Sequence, residues 1–202
     1  HYQNVVSEAD CMKALKLLET KGIESKSFRD RDSQVDYMFE SFFIETKDKD
    51  LKAINNIFKE ASDKAIRLYF DENKISGMIG PSDFKYSHST IDLIKKHISL
   101  PIHFDREFNE KTFKSKRNFI IVIYLNTLTE GGELVFPIQG KAIKPKMGDL
   151  VIIPTFYSHP HYVNPSLYED RYSYHLTYNT FNPSNKKKEI IQLFLYRKNN
   201  EF

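Results

Sequence analysis

Tryptophan is absent from this 202-residue chain, and cysteine occurs once, as Cys11. One thiol closes no internal disulfide, so nothing requires an oxidising compartment, and a cytoplasmic location is the expectation. Acceptors of the form Asn-X-Ser/Thr are lacking, because Asn164-Pro165-Ser166 and Asn182-Pro183-Ser184 carry the proline that forbids modification. No apolar run approaches the roughly 20 residues of a bilayer-spanning helix, so no membrane partner is expected. The net charge of +3 is too slight for a dedicated polyphosphate binder, and no nucleic acid is expected. Internal repeats and low-complexity segments are missing too. The chain begins at His1, which leaves a preceding segment open.

What is present suits a single β-rich domain spanning residues 1–202. The 16 Phe and 12 Tyr bring the aromatic share to 14%, and 40% apolar with 28% charged residues is ordinary for a globular core of this length. Ser7, the acids Glu8 and Asp10, the apolar Met12, Leu15, Leu17 and Leu18, and then Gly22 predict a helix of about three turns. The alternating charges Arg29-Asp30-Arg31-Asp32 read as a solvated loop, and Tyr37 to Ile44 as an aromatic strand. Asp48 or Asp50 caps a long helix whose stripe is Leu51, Ile54, Ile57, Phe58, Ala61, Ala65, Ile66 and Tyr69. A break follows at 76–82. Ser89 or Thr90 then opens a short amphipathic helix through Ile91, Leu93, Ile94 and Ile98.

After Pro101 the pattern changes to short strands. Asn118–Leu125 is apolar throughout and reads as a strand buried on both faces. Gly131-Gly132 turns into Glu133–Pro137, Lys146-Met147-Gly148 turns into Asp149–Pro154, and Tyr172–Tyr178 and Glu189–Tyr196 complete the set. The expectation is an α+β fold: residues 1–100 a mostly helical support, residues 101–202 a β-barrel or sandwich.

The chemistry concentrates in His103-Phe104-Asp105 and in Ser158-His159-Pro160-His161. On an extended segment, residues i and i+2 point to one side, so His103 and Asp105 can occupy adjacent positions around one ion. A histidine from a distant strand would complete a facial triad with open positions, the arrangement used by non-heme Fe(II) oxygenases. By itself His-X-Asp is a weak signal.

The flanking residues make it specific. His103-Phe104-Asp105 is followed by Arg117 seven residues before Tyr124-Leu125-Asn126, by Gly131-Gly132-Glu133-Leu134-Val135-Phe136-Pro137, by Lys144-Pro145-Lys146-Met147-Gly148-Asp149, and by His161-Tyr162-Val163-Asn164-Pro165. In that order these segments resemble the 2-oxoglutarate/Fe(II)-dependent oxygenases of the prolyl 4-hydroxylase type. The resemblance runs from about Pro101 to Tyr178. It implies a double-stranded β-helix (jelly-roll) core and, as cofactors, Fe(II), 2-oxoglutarate and O2, with ascorbate as an external reductant.

It also implies His103, Asp105 and His161 as metal-binding, catalytic residues, and Arg171 with Tyr124 as the anchor of the 2-oxoglutarate distal carboxylate, for which a guanidinium is well shaped. Two histidines compete for the third ligand position. The family's spacing from Gly148-Asp149 favours His159. Counting from the other side, His161 has Val163 and Pro165 in register and Arg171 ten residues on, whereas His159 would place Glu169 at the anchor, where it would repel the co-substrate. That decides for His161 and leaves His159 at the pocket rim.

His175, four residues past the anchor, would share its strand face, either lining the co-substrate pocket or serving as a core histidine. The family's Tyr-X-X-Gly-X-X-Tyr run is replaced by 96–101, which bears on the substrate pocket. The implied activity is C–H hydroxylation of a prolyl or other peptidyl substrate. The same chemistry on a free amino acid or small metabolite, or a binding module on the same barrel, are the alternatives. Nucleobase repair is disfavoured because Arg171 has no second arginine six residues on.

Overall fold

A computed structural model describes residues 1–21, 23, 25–28, 39–44, 47–74, 84–105 and 117–180. Helix α1 (Glu8–Thr20) starts where the Ser7 hydroxyl accepts the amide of Asp10, and α2 (Lys49–Glu72) where Asp48 accepts the amides of Asp50 and Leu51. Ten strands follow in chain order around them: β1 (Ser25–Phe28), β2 (Phe39–Phe43), β3 (Phe84–Ile94), β4 (Leu100–His103), β5 (Arg117–Tyr124), β6 (Leu134–Phe136), β7 (Lys141–Ile143), β8 (Leu150–Pro154), β9 (His161–Val163) and β10 (Arg171–Thr180). Among the described residues they form two antiparallel sheets, one ordered β1-β2-β3-β10-β5-β8 and one β4-β9-β6-β7.

Side-chain alternation builds three layers from these pieces. On β5, Phe119, Ile121 and Ile123 face the helices, and Ile120, Val122 and Tyr124 face the smaller sheet. β8 repeats the division, with Leu150 and Ile152 outward and Val151 and Ile153 inward. The larger sheet is therefore covered on both faces, which is why β5 lacks polar alternation. The outer core holds Ile54, Phe58, Ala65 and Phe70 of α2 against Tyr174 and Leu176 of β10. The inner core holds Leu134, Phe136 and Val163 of the smaller sheet. No helix among the described residues is long and apolar enough to cross a membrane.

Three expectations change. The segment from Ser89 to Ile94 belongs to the strand β3, not to a helix, and β3 lies between β2 and β10. Its apolar residues fit both periods over so few positions, and pairing with β10 decides for β-branched Thr90, Ile91 and Ile94. The first hundred residues thus contribute β1, β2 and β3 to the larger sheet as well as two helices. Second, α1 docks through its small residues: Cys11 and Ala14 are buried while Met12 is exposed. Third, on α2 Ile57 is exposed and Phe70 is buried in its stead. The anticipated loop at 29–36, the break at 76–82 and the strand 189–196 lie outside the described residues.

Candidate metal and co-substrate site

β4 and β9 are antiparallel neighbours, and His103 and His161 are direct cross-strand partners. That register places both imidazoles on one side, with ring centroids 4.5 Å apart. Asp105, just past β4, adds its carboxylate: Oδ2 lies 3.2 Å from His161 Nε2 and Oδ1 3.8 Å from His103 Nε2. One donor atom from each of the three residues falls within 4.8 Å of the other two, close enough to hold one ion.

The donors are also oriented for it. His103 Nδ1 lies 2.7 Å from the Pro101 carbonyl and His161 Nδ1 3.0 Å from the His159 carbonyl. A carbonyl only accepts, so both Nδ1 atoms donate, and in each ring Nε2 is the atom that faces the cluster. Burial raises the Asp105 carboxyl, but its hydrogen bond to His161 and the charges of the neighbouring histidines, His161 first, outweigh that and hold it below its ordinary range. Burial lowers His161, and the same bond to Asp105 overcomes it and raises the imidazole. Two imidazoles and one carboxylate with open sides form a donor set of the facial-triad type. Arg117, at the start of β5, donates from Nη1 to the Asp105 carbonyl at 3.1 Å and fixes the loop that carries the ligand.

These residues border a cavity of about 250 Å³ between the sheets, which Arg171 and His175 also line. Arg171 is only 3% exposed. Its guanidinium carbon stands 5.2 Å from the Tyr124 ring centroid, yet Arg171 Nε and the Tyr124 hydroxyl are both buried without a hydrogen-bond partner among the described residues. Burial pushes the Tyr124 hydroxyl up against the opposing charge of Arg171, so it stays a donor. A dry cation beside a dry hydroxyl is costly unless an anion completes it. Both groups fit the distal carboxylate of a keto diacid.

Asn126 fixes the anchor from behind. Its amide nitrogen donates to the Asp170 carbonyl at 2.8 Å and its oxygen accepts the Tyr172 amide at 2.9 Å, pinning the backbone on either side of Arg171. Glu133 has a similar tie: its carboxylate accepts from Asn164 at 3.1 Å.

Of the two competing histidines, only His161 joins the cluster. His159 borders a different cavity with Phe136 and Gln139, and its imidazole is pushed down to about 4 by burial and by the positive charge of His161. Its carbonyl is what reaches the cluster. His175 does face the cavity, as its spacing from Arg171 implies. Asp92 and Ser41 also line it and were not anticipated. A charged residue inside the run Ile91-Asp92-Leu93-Ile94 was the available signal.

No curated protein sequence matches the chain significantly. Solved structures do share its fold. A prolyl hydroxylase from Trichoplax adhaerens in complex with a hypoxia inducible factor peptide fragment aligns at TM-score 0.64 and 18% identity, over 93% of this chain and 84% of that one. The viral collagen prolyl hydroxylase of Paramecium Bursaria Chlorella virus-1, in its 2OG complex, aligns at 0.62 and 15%, over 88% and 93%. A Pseudomonas putida prolyl-4-hydroxylase aligns at 0.60 and 17%, over 88% and 90%. The sequence model of the 2OG-Fe(II) oxygenase superfamily matches residues 92–196, just over half of the chain. The chain therefore belongs to the 2OG-Fe(II) oxygenase superfamily, whose reaction uses Fe(II), 2-oxoglutarate and O2.

Proposed function

We propose that this oxygenase hydroxylates a C–H bond of a peptidyl substrate, a prolyl residue first of all, with His103, Asp105 and His161 as the metal ligands and Arg171 and Tyr124 as the 2-oxoglutarate anchor. The corresponding reading of the fold is a double-stranded β-helix formed by the two facing sheets, residues 101–202 being its catalytic core. One observation carries the assignment. A three-donor cluster and a buried guanidinium with no acidic partner among the described residues share a single cavity.

Bound Fe(II), with 2-oxoglutarate and O2 as co-substrates, supplies the oxidising power for C–H hydroxylation, and the keto acid leaves as succinate and CO2. The protein supplies position and dryness. Arg171 offers two parallel N–H donors to the distal carboxylate, and Tyr124 adds its hydroxyl hydrogen. Asn126 keeps Arg171 in place, while the Pro101 and His159 carbonyls keep both imidazoles in the donor tautomer. Ile120, Val122, Ile153 and Leu134 form a wall that excludes water.

Support for a peptide comes from the surface beside the ligands. Phe104 and Tyr157, both exposed, meet edge-on with centroids 4.7 Å apart. Such aromatic surfaces take extended, proline-containing chains. A free amino acid or small metabolite is the second reading, favoured by the polar wall around Asp92. The deciding experiment measures succinate formed from 2-oxoglutarate with Fe(II) and ascorbate, over a panel of peptides and amino acids, in the parent and in His161→Ala. Turnover that requires His161 is expected. Equal rates in the two proteins, or none in the parent with the whole panel, would refute the assignment.

A further inference from the structure

The cavity has two chemically different walls. One, from β5, β8 and the smaller sheet, is apolar: Ile120, Val122, Ile153, Leu134 and Val163. The other, from β2, β3 and β10, is polar. Register explains why: Ser41 and Ser173 are the cross-strand partners of Asp92 on its two sides, and His175 lies two residues beyond Ser173 on the same face.

Asp92 is the centre of that wall, and it is 8% exposed. Its Oδ1 accepts the Ser41 hydroxyl at 2.7 Å, and its Oδ2 lies 3.4 Å from His175 Nδ1. On the far side of the imidazole, Nε2 lies 3.0 Å from the Ser173 hydroxyl. A carboxylate only accepts, so Nδ1 carries the proton and Nε2 receives the serine hydrogen. The order serine–histidine–aspartate resembles a nucleophilic relay, but Ser173 is 0% exposed and does not line this cavity. It locks the imidazole in position and does no chemistry.

The charges do not balance. Burial lowers His175, and although Asp92 raises it, the positive charge of Arg171 adds to the lowering, so the ring is neutral. Ser41 is neutral as well. Arg171 and Asp92 line the same cavity but form no ion pair with each other. A carboxylate in such a place has roughly four acceptor positions, of which two are used here. Buried charge of this kind is otherwise paired.

We infer that Asp92 is a specificity-determining residue that accepts a protonated amine of the substrate, with Ser41 and His175 aiming its carboxylate into the cavity. The inference rests on the oxygenase reading and, within it, favours an amine-bearing substrate over the internal prolyl residue. The reacting residue or compound carries an ammonium group near the oxidised carbon. Two sources share that chemistry: a proline whose ring nitrogen is free, as in the amino acid itself or at a chain end, and a lysine side chain. An internal prolyl residue has neither.

The test is anaerobic, so that binding is read without turnover. Protein loaded with Fe(II) and 2-oxoglutarate is titrated calorimetrically with L-prolinamide, N-acetyl-prolinamide, Nα-acetyl-lysinamide and Nα,Nε-diacetyl-lysinamide. At least one ammonium compound is expected to bind ten-fold or more tightly than its acylated counterpart, and which one does so identifies the source. Asp92→Asn, which keeps the shape and can still accept from Ser41, is expected to erase that preference. Its iron-to-keto-acid absorption band serves as the control that the site has formed.

Equal binding of ammonium and acylated compounds by the parent overturns the inference. So does an undiminished preference in Asp92→Asn. Tighter binding of N-acetyl-prolinamide overturns it in favour of an internal prolyl substrate. Because the absorption band is read separately, its absence in the parent counts against the oxygenase assignment, not against the amine preference.

Discussion

Replacing Arg171 by methionine should make the ligand-free protein more stable and its co-substrate binding much weaker. Arg171 is 3% exposed, its Nε has no hydrogen-bond partner among the described residues, and the Tyr124 ring centroid lies 5.2 Å from its guanidinium carbon. Exchanging buried ionic groups for packed apolar ones often gains about 1–4 kcal/mol. Loss of the cation–π contact returns about 0.5–1 kcal/mol of that. A net gain of about 1–3 kcal/mol corresponds, at roughly 2–4 °C per kcal/mol in a chain of this size, to a Tm rise of about 2–12 °C.

If Arg171 is the proposed anchor, the same change removes two charge-assisted hydrogen bonds to the 2-oxoglutarate distal carboxylate. At about 1.5–3 kcal/mol for each such bond, the pair dominates binding of the carboxylate. Even half of their sum weakens Kd by roughly 100-fold or less steeply by ten-fold at the lower limit. Differential scanning calorimetry of chelator-treated protein reads the first effect, and anaerobic calorimetric titration with Fe(II) and 2-oxoglutarate reads the second. In the parent, 2-oxoglutarate at about 100 times its Kd should add about 2.7 kcal/mol of stability, and far less in the variant at the same concentration. A lower Tm for ligand-free Arg171→Met, or equal affinities for 2-oxoglutarate, would refute the view that this buried cation awaits an anion.

Four further outcomes follow from the geometry. Adding Mn(II) to chelator-treated protein should raise the parent's Tm and leave that of Asp105→Ala unchanged, as scanning calorimetry will show. His159→Ala should keep the Mn(II) response, because the group that orients His161 is the backbone carbonyl of residue 159 and survives the change. Asn126→Ala should raise the KM for 2-oxoglutarate several-fold with little change in kcat, since it loosens the backbone around Arg171; a fall in kcat at constant KM would count against that role. Gly131→Ala should cost on the order of 2–4 kcal/mol, seen as a lower urea midpoint at constant slope. Gly131 has φ +76° and a Cβ there would meet the Pro165 carbonyl oxygen at 2.2 Å.

Much of the site was legible in the sequence because its signals are short. Two ligands at i and i+2 share a strand side whatever the rest of the chain does. Arg171 follows His161 at a fixed distance because β9, one short connection and the start of β10 are continuous in sequence. The helix caps at Ser7 and Asp48 are equally local, since each side chain bonds an amide two or three residues on.

Tertiary structure decided what depends on partners far along the chain. The residues 89–94 fit a helix and a strand about equally as a string, and their pairing with β10, some eighty residues later, made them a strand. That pairing turned Asp92 from the face of an expected helix into the floor of a cavity. Likewise, the choice of His161 over His159 as the third cluster member is settled spatially by its register opposite His103 on β4. Local spacing names the groups that can react. Only strand register, set by burial on both faces of the larger sheet, determines which of them meet and which charges are left without a partner.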